Sequence, residues 1–305
     1  MFFAKPILSD FADPTALPQT GDQASRWQEA NRSFWENNPM RYDWRDRIPH
    51  EEFSREYYGE IDRRFFADAI QYIPWKRLPF DSVIDFDTLG TKDVLEIGTG
   101  SGSHAQLLAE HARSFTGIDL TEHAVKATQK RLQAFDLEGK LVQMDAENMA
   151  FPDESFDFVW SWGVIHHSSD TSRILREIRR VLRPGGRAAT MVYHRSLWHY
   201  YVFAGFFHGV VLGDLLKTRS LHKTVQRCTD GGLARYYSEE EWRVMVSPIL
   251  EIESVRICGS KAQLLPIPGG RAKDRVMKSI PDAAGRFLTS DLRLGSFLVS
   301  TMRKR

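Results

Sequence analysis

Several features that would point to particular protein classes are scarce in this sequence. Its 305 residues include two cysteines, Cys228 and Cys258, which lie far apart and outside any CxxC or Cys/His spacing. The sequence therefore predicts neither a disulfide framework nor a zinc site. Lys and Arg number 41 and Asp and Glu number 40, so the formal net charge is +1. A charge this small argues against nucleic acid as the main partner, because it would not attract a polyanion.

Long uninterrupted apolar runs are also missing. Prolines and aspartates break the N-terminal segment MFFAKPILSDFADP, which argues against a signal peptide. The most apolar stretch, Trp198 to Leu216, is interrupted by His199, His208 and Asp214, so we expect a buried or ligand-facing helix. A membrane-surface helix is disfavoured, because this stretch lacks a basic polar face. Together these features predict a cytoplasmic protein without stable membrane insertion.

The N-terminal region places many aromatic residues among charged ones. Apolar positions recur there at helical spacing, which predicts a helical segment over residues 1–90. One helix face would carry Phe53, Tyr57, Ile61, Phe65 and Phe66. Five aromatics of this region are interpreted mainly as anchors on the core, with a lid over a cationic ligand as the alternative. They are Trp35, Tyr42, Trp44, Tyr57 and Tyr58.

From Lys92 onward, short apolar runs alternate with amphipathic stretches, which predicts βα units and a parallel sheet. The predicted strands are DVLEIG, SFTGIDL, LVQMDA, FDFVWSWG and RAATMVYH. The predicted helices between them are SHAQLLAEHA, TEHAVKATQKRLQAF and TSRILREIRRVL. After Tyr193 the alternation breaks for roughly 40 residues, which we interpret as an insertion that caps a pocket.

The strongest functional signal is VLEIGTGSG, residues 94–102, where a predicted strand runs into Gly98, Gly100 and Gly102. Glycine is needed in such a turn, because side chains would block the approach of a ligand to the backbone. The second strand ends on Asp119, which can accept hydrogen bonds from both hydroxyls of a ribose. Asp145, after the third strand, can accept from an adenine amine. The sequence thus predicts an adenosine-containing ligand.

This ordered series resembles class I S-adenosylmethionine-dependent methyltransferases, particularly the branch that includes the ubiquinone and menaquinone biosynthesis enzymes. The resemblance covers about Lys92 to Tyr193 and includes WSWGVIHHSSD and ILREIRRVLRPGGR. It implies an α/β fold with a Rossmann-like seven-stranded, mostly parallel sheet, helices on both faces and an antiparallel last strand. It also implies S-adenosyl-L-methionine as the cofactor.

By the same resemblance, the glycine loop would wrap the methionine and ribose, Leu120 would adjoin the adenine, and Ala146 with Asp145 would meet the adenine edge. The predicted cofactor-binding set is Glu96, Gly98, Thr99, Gly100, Gly102, Asp119, Leu120, Asp145, Ala146 and Ser161. His166 and His167 follow the fourth strand, so either is a candidate general base. Purely structural roles are the alternative, because an activated methyl donor needs no strong base. No metal site is expected.

The expected function is in-line methyl transfer to a small, apolar or aromatic acceptor. The expected divisions are a lid segment at 1–90, a cofactor-binding core at 91–193, a cap at 194–247 and C-terminal strands at 248–305. Two alternatives stay open: a protein that binds S-adenosylmethionine without transferring methyl, and an NAD(P)-dependent oxidoreductase. The oxidoreductase is disfavoured, because Ser103 stands where the dinucleotide fingerprint has Gly or Ala.

Overall fold

The structure is a computed structural model, and it describes residues 8–43, 46–265 and 270–305. At its centre lies a sheet built from the short apolar runs of the sequence. The strands are β1 Asp93–Ile97, β2 Ser114–Asp119, β3 Lys140–Gln143, β4 Phe156–Trp162, β5 Leu182–Tyr193, β6 Glu251–Cys258 and β7 Phe297–Arg303. Across the sheet they follow the order β3-β2-β1-β4-β5-β7-β6.

Strands β1 to β5 run parallel, and β7 lies antiparallel between β5 and β6. The central strand β1 is buried from Val94 to Ile97, as expected for a strand covered on both faces. Its register pairs Leu95 with Thr116 of β2 and with Val159 of β4. The predicted seven-stranded, mostly parallel sheet with an antiparallel last strand is confirmed.

Helices cover the sheet on both faces. In one of them, Ile174, Leu175 and Ile178 recur at helical spacing and are buried in the core. The same helix begins after Asp170, whose carboxylate accepts from the following backbone N–H groups. The α-helices are α1 Gly21–Asn37, α2 Arg55–Tyr72, α3 Ser103–His111, α4 Glu122–Ala134, α5 Thr171–Val181, α6 Asp214–Thr218, α7 Leu221–Arg227, α8 Glu239–Val246, α9 Arg271–Ser279 and α10 Asp282–Arg286.

The N-terminal helices differ from expectation at one position. Phe53, predicted to share the helix face, precedes α2 and has a φ of 72°. The helix begins later because the Ser54 hydroxyl accepts a hydrogen bond from the Tyr57 N–H and caps it. The remaining predicted positions lie in α2, where Ile61 and Phe65 are buried.

The apolar stretch after β5 forms a π-helix, Leu197–Val211, followed by α6 and α7. Helix α8 lies within the predicted cap range, yet its Trp242 is fully buried in the core beside α5 and β6. The C-terminal region also contains α9 and α10 between its two strands, which the sequence pattern did not predict. Within the described residues, no helix combines the length and the apolar character that a membrane crossing requires.

Candidate active site

A cavity of 1160 Å³ lies at the carboxyl ends of the parallel strands. Ligands of open α/β sheets bind at this edge, and the volume exceeds that of ordinary single-ligand pockets. The loop after β1, the ends of β2 and β5, and the segment after β4 all line it. Residues of the N-terminal helices, the π-helix and α9 also belong to its wall. The cavity therefore has space for two reactants side by side.

Three glycines of the loop after β1 have left-handed backbones, with φ values of 80° at Gly98, 53° at Gly100 and 80° at Gly102. A Cβ on Gly98 would lie 2.2 Å from a methyl carbon of Val164. A Cβ on Gly102 would lie 2.9 Å from the Cδ of Arg131. A Cβ on Gly100 would meet nothing within 4 Å. Gly98 and Gly102 thus permit close packing, whereas Gly100 leaves open space at the cavity wall.

Asp119 ends β2 and faces the cavity. Its Oδ1 accepts from the N–H and the hydroxyl of Thr121 at 2.9 and 2.8 Å, and its Oδ2 accepts from the Gly100 N–H at 3.2 Å. Burial raises the pKa of this carboxyl, although these hydrogen bonds oppose the shift. The carboxylate is held rigidly at the position predicted for ribose recognition. Leu120 and Ala146 also line the cavity.

Asp145 lines the cavity as well, but it already has a partner in the N-terminal region. The side-chain amide of Gln28 in α1 donates to both carboxylate oxygens at 2.9 Å. The carbonyl oxygen of the same amide accepts from the Ser169 N–H at 3.1 Å. Gln28 therefore connects α1 to the predicted adenine-edge position and to the segment after β4.

Further contacts hold the N-terminal region beside the part of the cavity lined by the loop after β1 and by Asp119, which we call the cofactor end after the ligand that the sequence predicts. The Glu36 carboxylate accepts from the N–H groups of Glu122 and His123 at 2.9 and 3.1 Å, where the positive end of the α4 dipole favours an anion. The Ser101 hydroxyl donates to the Met40 carbonyl. We call the contacts made by Gln28, Glu36 and Met40 the N-terminal latch.

The predicted aromatic anchors divide into two groups. Tyr57 and Tyr58 are buried in a cluster with Ile61, so they pack α2 against the core. Trp35 and Tyr42 line the cavity. Trp44 lies outside the described residues. Local helical spacing did not distinguish these groups, because it does not show which helix face meets the cavity.

Arg235 connects the N-terminal region to the loop that carries the histidine pair. Its fully buried guanidinium donates to the carbonyls of Ser168, Ser169 and Ala16. Its backbone N–H donates to the His166 carbonyl at 2.9 Å. Burial lowers the pKa of this guanidinium, and the converging carbonyl dipoles stabilise its charge.

Three predicted cofactor residues lie outside the cavity lining: Glu96, Gly102 and Ser161. The buried Ser161 hydroxyl donates to the Ile97 carbonyl at 3.0 Å. Glu96 lies 3.9 Å from the His104 imidazole, but burial raises the pKa of this carboxyl and lowers the pKa of His104 to about 3. The His104 imidazole is therefore neutral, and the contact is not an ion pair.

The two candidate bases occupy different positions. His167 lines the cavity, and its ring lies 5.1 Å from that of Trp35. Its Nδ1 lies 2.7 Å from the Leu233 carbonyl, which assigns the hydrogen to Nδ1 and the lone pair to Nε2. His166 is fully buried behind the cavity wall and packs 3.9 Å from the Tyr193 ring. Burial holds the pKa of His166 well below its usual value, so it stays neutral.

The part of the cavity lined by Tyr193, Asp230 and the π-helix, which we call the acceptor end, was not predicted residue by residue. Tyr193, at the end of β5, donates to Asp230 Oδ1 at 2.6 Å, and both line the cavity. The π-helix contributes His199 and Phe203, and burial lowers the pKa of His199 to about 4. This end therefore combines aromatic walls with a few polar groups. Asp230 followed by Gly231 is a dipeptide typical of turns, but local spacing does not pair Asp230 with Tyr193.

A second carboxylate, Asp68 of α2, reaches the same end. It accepts from the Ser260 hydroxyl at 2.8 Å, and burial raises its pKa. Asp68 and Asp230 both raise the pKa of Tyr42, after the larger effect of burial, so Tyr42 lies within the field of both. Within the described ranges, no cluster of three or more His, Cys, Asp or Glu side chains has the arrangement of a metal site.

The cofactor end fits an adenosine-type sulfonium ligand. Among the described residues, the buried hydroxyl of Thr99, which belongs to the cavity lining, has no hydrogen-bond partner within the protein. Buried polar groups of folded proteins are normally bonded, so such groups mark positions where a ligand is expected. Asp119 also faces the cavity, and Gly100 leaves space for a ligand to approach the backbone closely. These residues match the donors and acceptors of S-adenosylmethionine.

Residues 95–190 match the family model described as a methyltransferase domain. The chain is 43% identical over 100 residues to phthiotriol/phenolphthiotriol dimycocerosates methyltransferase of Mycobacterium tuberculosis, covering 32% of this chain and 36% of that protein. It is 36% identical over 99 residues to 27-O-demethylrifamycin SV methyltransferase of Amycolatopsis mediterranei, covering 32% and 36%. The similarity thus spans little more than a third of these relatives.

Solved structures extend the likeness to the whole fold. The [4+2]-cyclase SpnF aligns over 96% of this chain and 98% of its own, with a TM-score of 0.52 and 15% identity. An S-adenosylmethionine-dependent methyltransferase from Methanosarcina mazei aligns over 73% of this chain and 96% of its own, with a TM-score of 0.50 and 19% identity. The chain therefore shares the fold of S-adenosylmethionine-dependent methyltransferases, and its residues 95–190 match a methyltransferase domain.

Proposed function

We propose that this chain transfers the methyl group of S-adenosylmethionine to a hydroxyl group of a large apolar molecule of polyketide or lipid type. The observation that carries the proposal is one cavity with two unlike ends. Backbone turns and Asp119 form the cofactor end, whereas Tyr193, Phe203 and Asp230 form the acceptor end. When bound, the cofactor supplies a methyl group that is already activated by its sulfonium.

The protein's main contribution would be placement of the two reactants. Asp119 and the glycine loop hold the nucleoside, while the aromatic end excludes water and orients the acceptor in line with the methyl group. The Tyr193–Asp230 pair offers a fixed polar contact for a hydroxyl inside otherwise apolar walls. This arrangement favours an acceptor with a broad apolar body and few polar groups.

His167 is the proposed base. His167 would take the hydroxyl proton on its Nε2 lone pair as the methyl group passes from the sulfonium, which becomes a neutral thioether, to the acceptor oxygen. The Leu233 carbonyl fixes the tautomer through Nδ1. His166 is proposed to position this ring and Tyr193, because it lies behind the cavity wall. The roles of Glu96, Gly102 and Ser161 are proposed to be indirect, through the loop that they support.

The relatives support the substrate class. Their names describe methyltransferases of phthiotriol dimycocerosates and of a rifamycin, the latter at an oxygen. As part of the same proposal, residues 1–90 act as a lid and 194–247 contribute a cap. The cytoplasmic location and the lack of a nucleic-acid partner also remain proposals, which rest on scarce cysteine and a near-zero net charge.

Calorimetric titration with S-adenosylmethionine, S-adenosylhomocysteine and NADH tests the cofactor. The two sulfur nucleosides should bind, and binding of NADH alone would overturn the proposal. Mass spectrometry of hydroxylated polyketide and glycolipid acceptors, incubated with enzyme and labelled donor, then tests the transfer. A product carrying one extra methyl at oxygen supports it. Tight cofactor binding without methylation of any hydroxyl acceptor would instead favour another use of the cofactor.

A further inference from the structure

The π-helix Leu197–Val211 exposes a continuous apolar face. A π-helix closes i to i+5 hydrogen bonds and has about 4.4 residues per turn, so positions four and five apart share a face. The exposed residues Leu197, Tyr201, Phe206 and Val210 follow that spacing and are 67%, 42%, 58% and 59% exposed. Val211, Leu212 and Leu216 extend the patch, and Leu216 is 84% exposed. We call these seven residues the apolar patch.

The other faces of the same helix are occupied. Tyr200, Ala204 and His208 repeat at the same spacing and are buried. His199 and Phe203, one position earlier, line the cavity. A single helix therefore separates the acceptor end of the cavity from the solvent, to which the apolar patch is exposed. Packing within the described chain accounts for the first two faces but not for the patch.

Cationic residues follow the patch directly. Residues 212–229 include Lys217, Arg219, Lys223 and Arg227 and a single acidic residue, Asp214. Lys217 and Arg219 are exposed. Asp214 pairs with Lys217 at 3.5 Å and with Arg227 at 3.4 Å, which leaves these four cations in excess over one carboxylate. The basic charge missing from the apolar stretch itself is thus supplied by this excess on α6, α7 and the turn between them. Proteins bind to anionic bilayers through surfaces of this kind: Lys and Arg are attracted to the headgroups, and exposed apolar side chains insert beside them.

The patch also lies near one side of the cavity. The π-helix contacts the short helix Lys261–Leu264, which in turn contacts α9. Two lysines of α9, Lys273 and Lys278, belong to the cavity lining, and Lys278 is exposed. The apolar patch, the cationic side chains of α6 and α7, and one wall of the acceptor end therefore belong to one region of contacting elements, the π-helix with α6 and α7.

We propose that this region docks on the surface of an anionic phospholipid bilayer, with the apolar patch among the acyl chains and the lysines at the headgroups. The binding is peripheral and reversible. It would let an apolar acceptor pass from the bilayer to the acceptor end without crossing water. The docking itself does not depend on methyl transfer, so it is tested by binding alone.

The test is co-sedimentation of the full chain with vesicles of phosphatidylcholine alone or mixed with phosphatidylglycerol. The mixed vesicles should bind the protein, and added salt should weaken the binding. Val210→Ser combined with Leu216→Ser should lower the partition coefficient about tenfold or more. The control is Val244→Ser, because Val244 is 70% exposed on α8, away from the patch. It should bind as the wild type does.

A charge arm tests the electrostatic part. Lys217→Gln with Lys223→Gln should weaken binding to mixed vesicles about tenfold, while Lys126→Gln with Lys130→Gln, an equal charge change on α4, should not. All variants should keep the wild-type melting temperature. Lack of vesicle binding, or equal losses in patch and control variants, would overturn the proposal. A lipid-free dimer in sedimentation velocity that Leu216→Ser dissociates would assign the patch to a second copy instead.

Discussion

The two ends of the cavity are built in different ways. At the cofactor end, the functional groups belong to short segments that follow β1 and β2, and backbone conformation matters as much as side chains. At the acceptor end, Asp68, Tyr193, His199 and Asp230 come from separate elements and meet only through tertiary packing. The first end is suited to a constant ligand. The second can change its walls without altering the strands, which suits a variable acceptor.

The largest effect is expected where the cofactor loop packs against its neighbour. Gly98→Ala should lower the free energy of unfolding by about 3 kcal/mol, because its Cβ would clash with Val164 in a left-handed backbone. Gly100→Ala has no such clash, so it should fold and lose cofactor affinity. Chemical denaturation and calorimetry distinguish the two. Val164→Ala should restore part of the stability of Gly98→Ala; equal stability of both glycine variants would contradict this account.

The two adjacent histidines are proposed to have different roles: His167 accepts a proton, and His166 packs behind the cavity wall. His167→Ala should lower kcat about 100-fold with little change in cofactor affinity, because it removes the proposed proton acceptor. His166→Ala should mainly lower the melting temperature, since its ring fills the space behind Tyr193. Rate measurements across pH provide the check. A kcat for His167→Ala that matches the wild type would show that no base is used there.

Cofactor recognition itself should respond to the acid that ends β2. Asp119→Ala should weaken binding of S-adenosylmethionine by about 1 to 3 kcal/mol, the usual loss for charge-assisted hydrogen bonds. Asp153→Ala, which removes an exposed carboxylate, is the matched control. Calorimetry measures both. An acceptor-end variant, Asp230→Ala, should leave cofactor affinity unchanged, and a similar loss in all three would argue against two separate ends.

The smallest effect expected is a pH dependence of stability from the cofactor end. The folded pKa of His104 is about 3, below its ordinary 6.5, so unfolding takes up a proton below pH 6.5. The stability it contributes is complete above pH 6.5 and falls by about 2 kcal/mol by pH 5. Glu96, with its raised pKa, acts in the opposite sense above its unfolded value. The measurement is therefore the difference between wild type and His104→Phe, which should shrink as the pH falls; a constant difference would refute it.

The sequence predicted the cofactor end better than the acceptor end. Gly98, Asp119 and Asp145 were predictable because local spacing alone places them at the ends of neighbouring strands. The number of strands and the antiparallel last strand followed from the family resemblance. Of the predicted set, Glu96, Gly102 and Ser161 lie behind the lining, because a motif marks a loop and not which of its atoms face the cavity.

The residues of the acceptor end could not be predicted from local spacing or from the family resemblance. Tyr193 and Asp230 are 37 positions apart, and no local periodicity pairs them. The π-helix was harder still, since helical patterns are usually sought at 3.6 residues per turn. Read at that period, Leu197 to Val211 is apolar all round, whereas its π spacing separates buried, cavity-lining and exposed faces. The basic residues that complete the patch lie on the next helices.

Arg235 has a consequence for how the molecule moves. Its guanidinium holds carbonyls of the N-terminal region and of the loop after the histidine pair, while its own backbone holds the carbonyl of His166. A displacement of the N-terminal region therefore strains the segment that carries the proposed base. Arg235 therefore links the N-terminal region to the loop that carries His166 and His167. Under the proposed function, a product that leaves past the N-terminal latch would displace the proposed base together with the N-terminal region, so the reactive geometry would not persist over an open cofactor end.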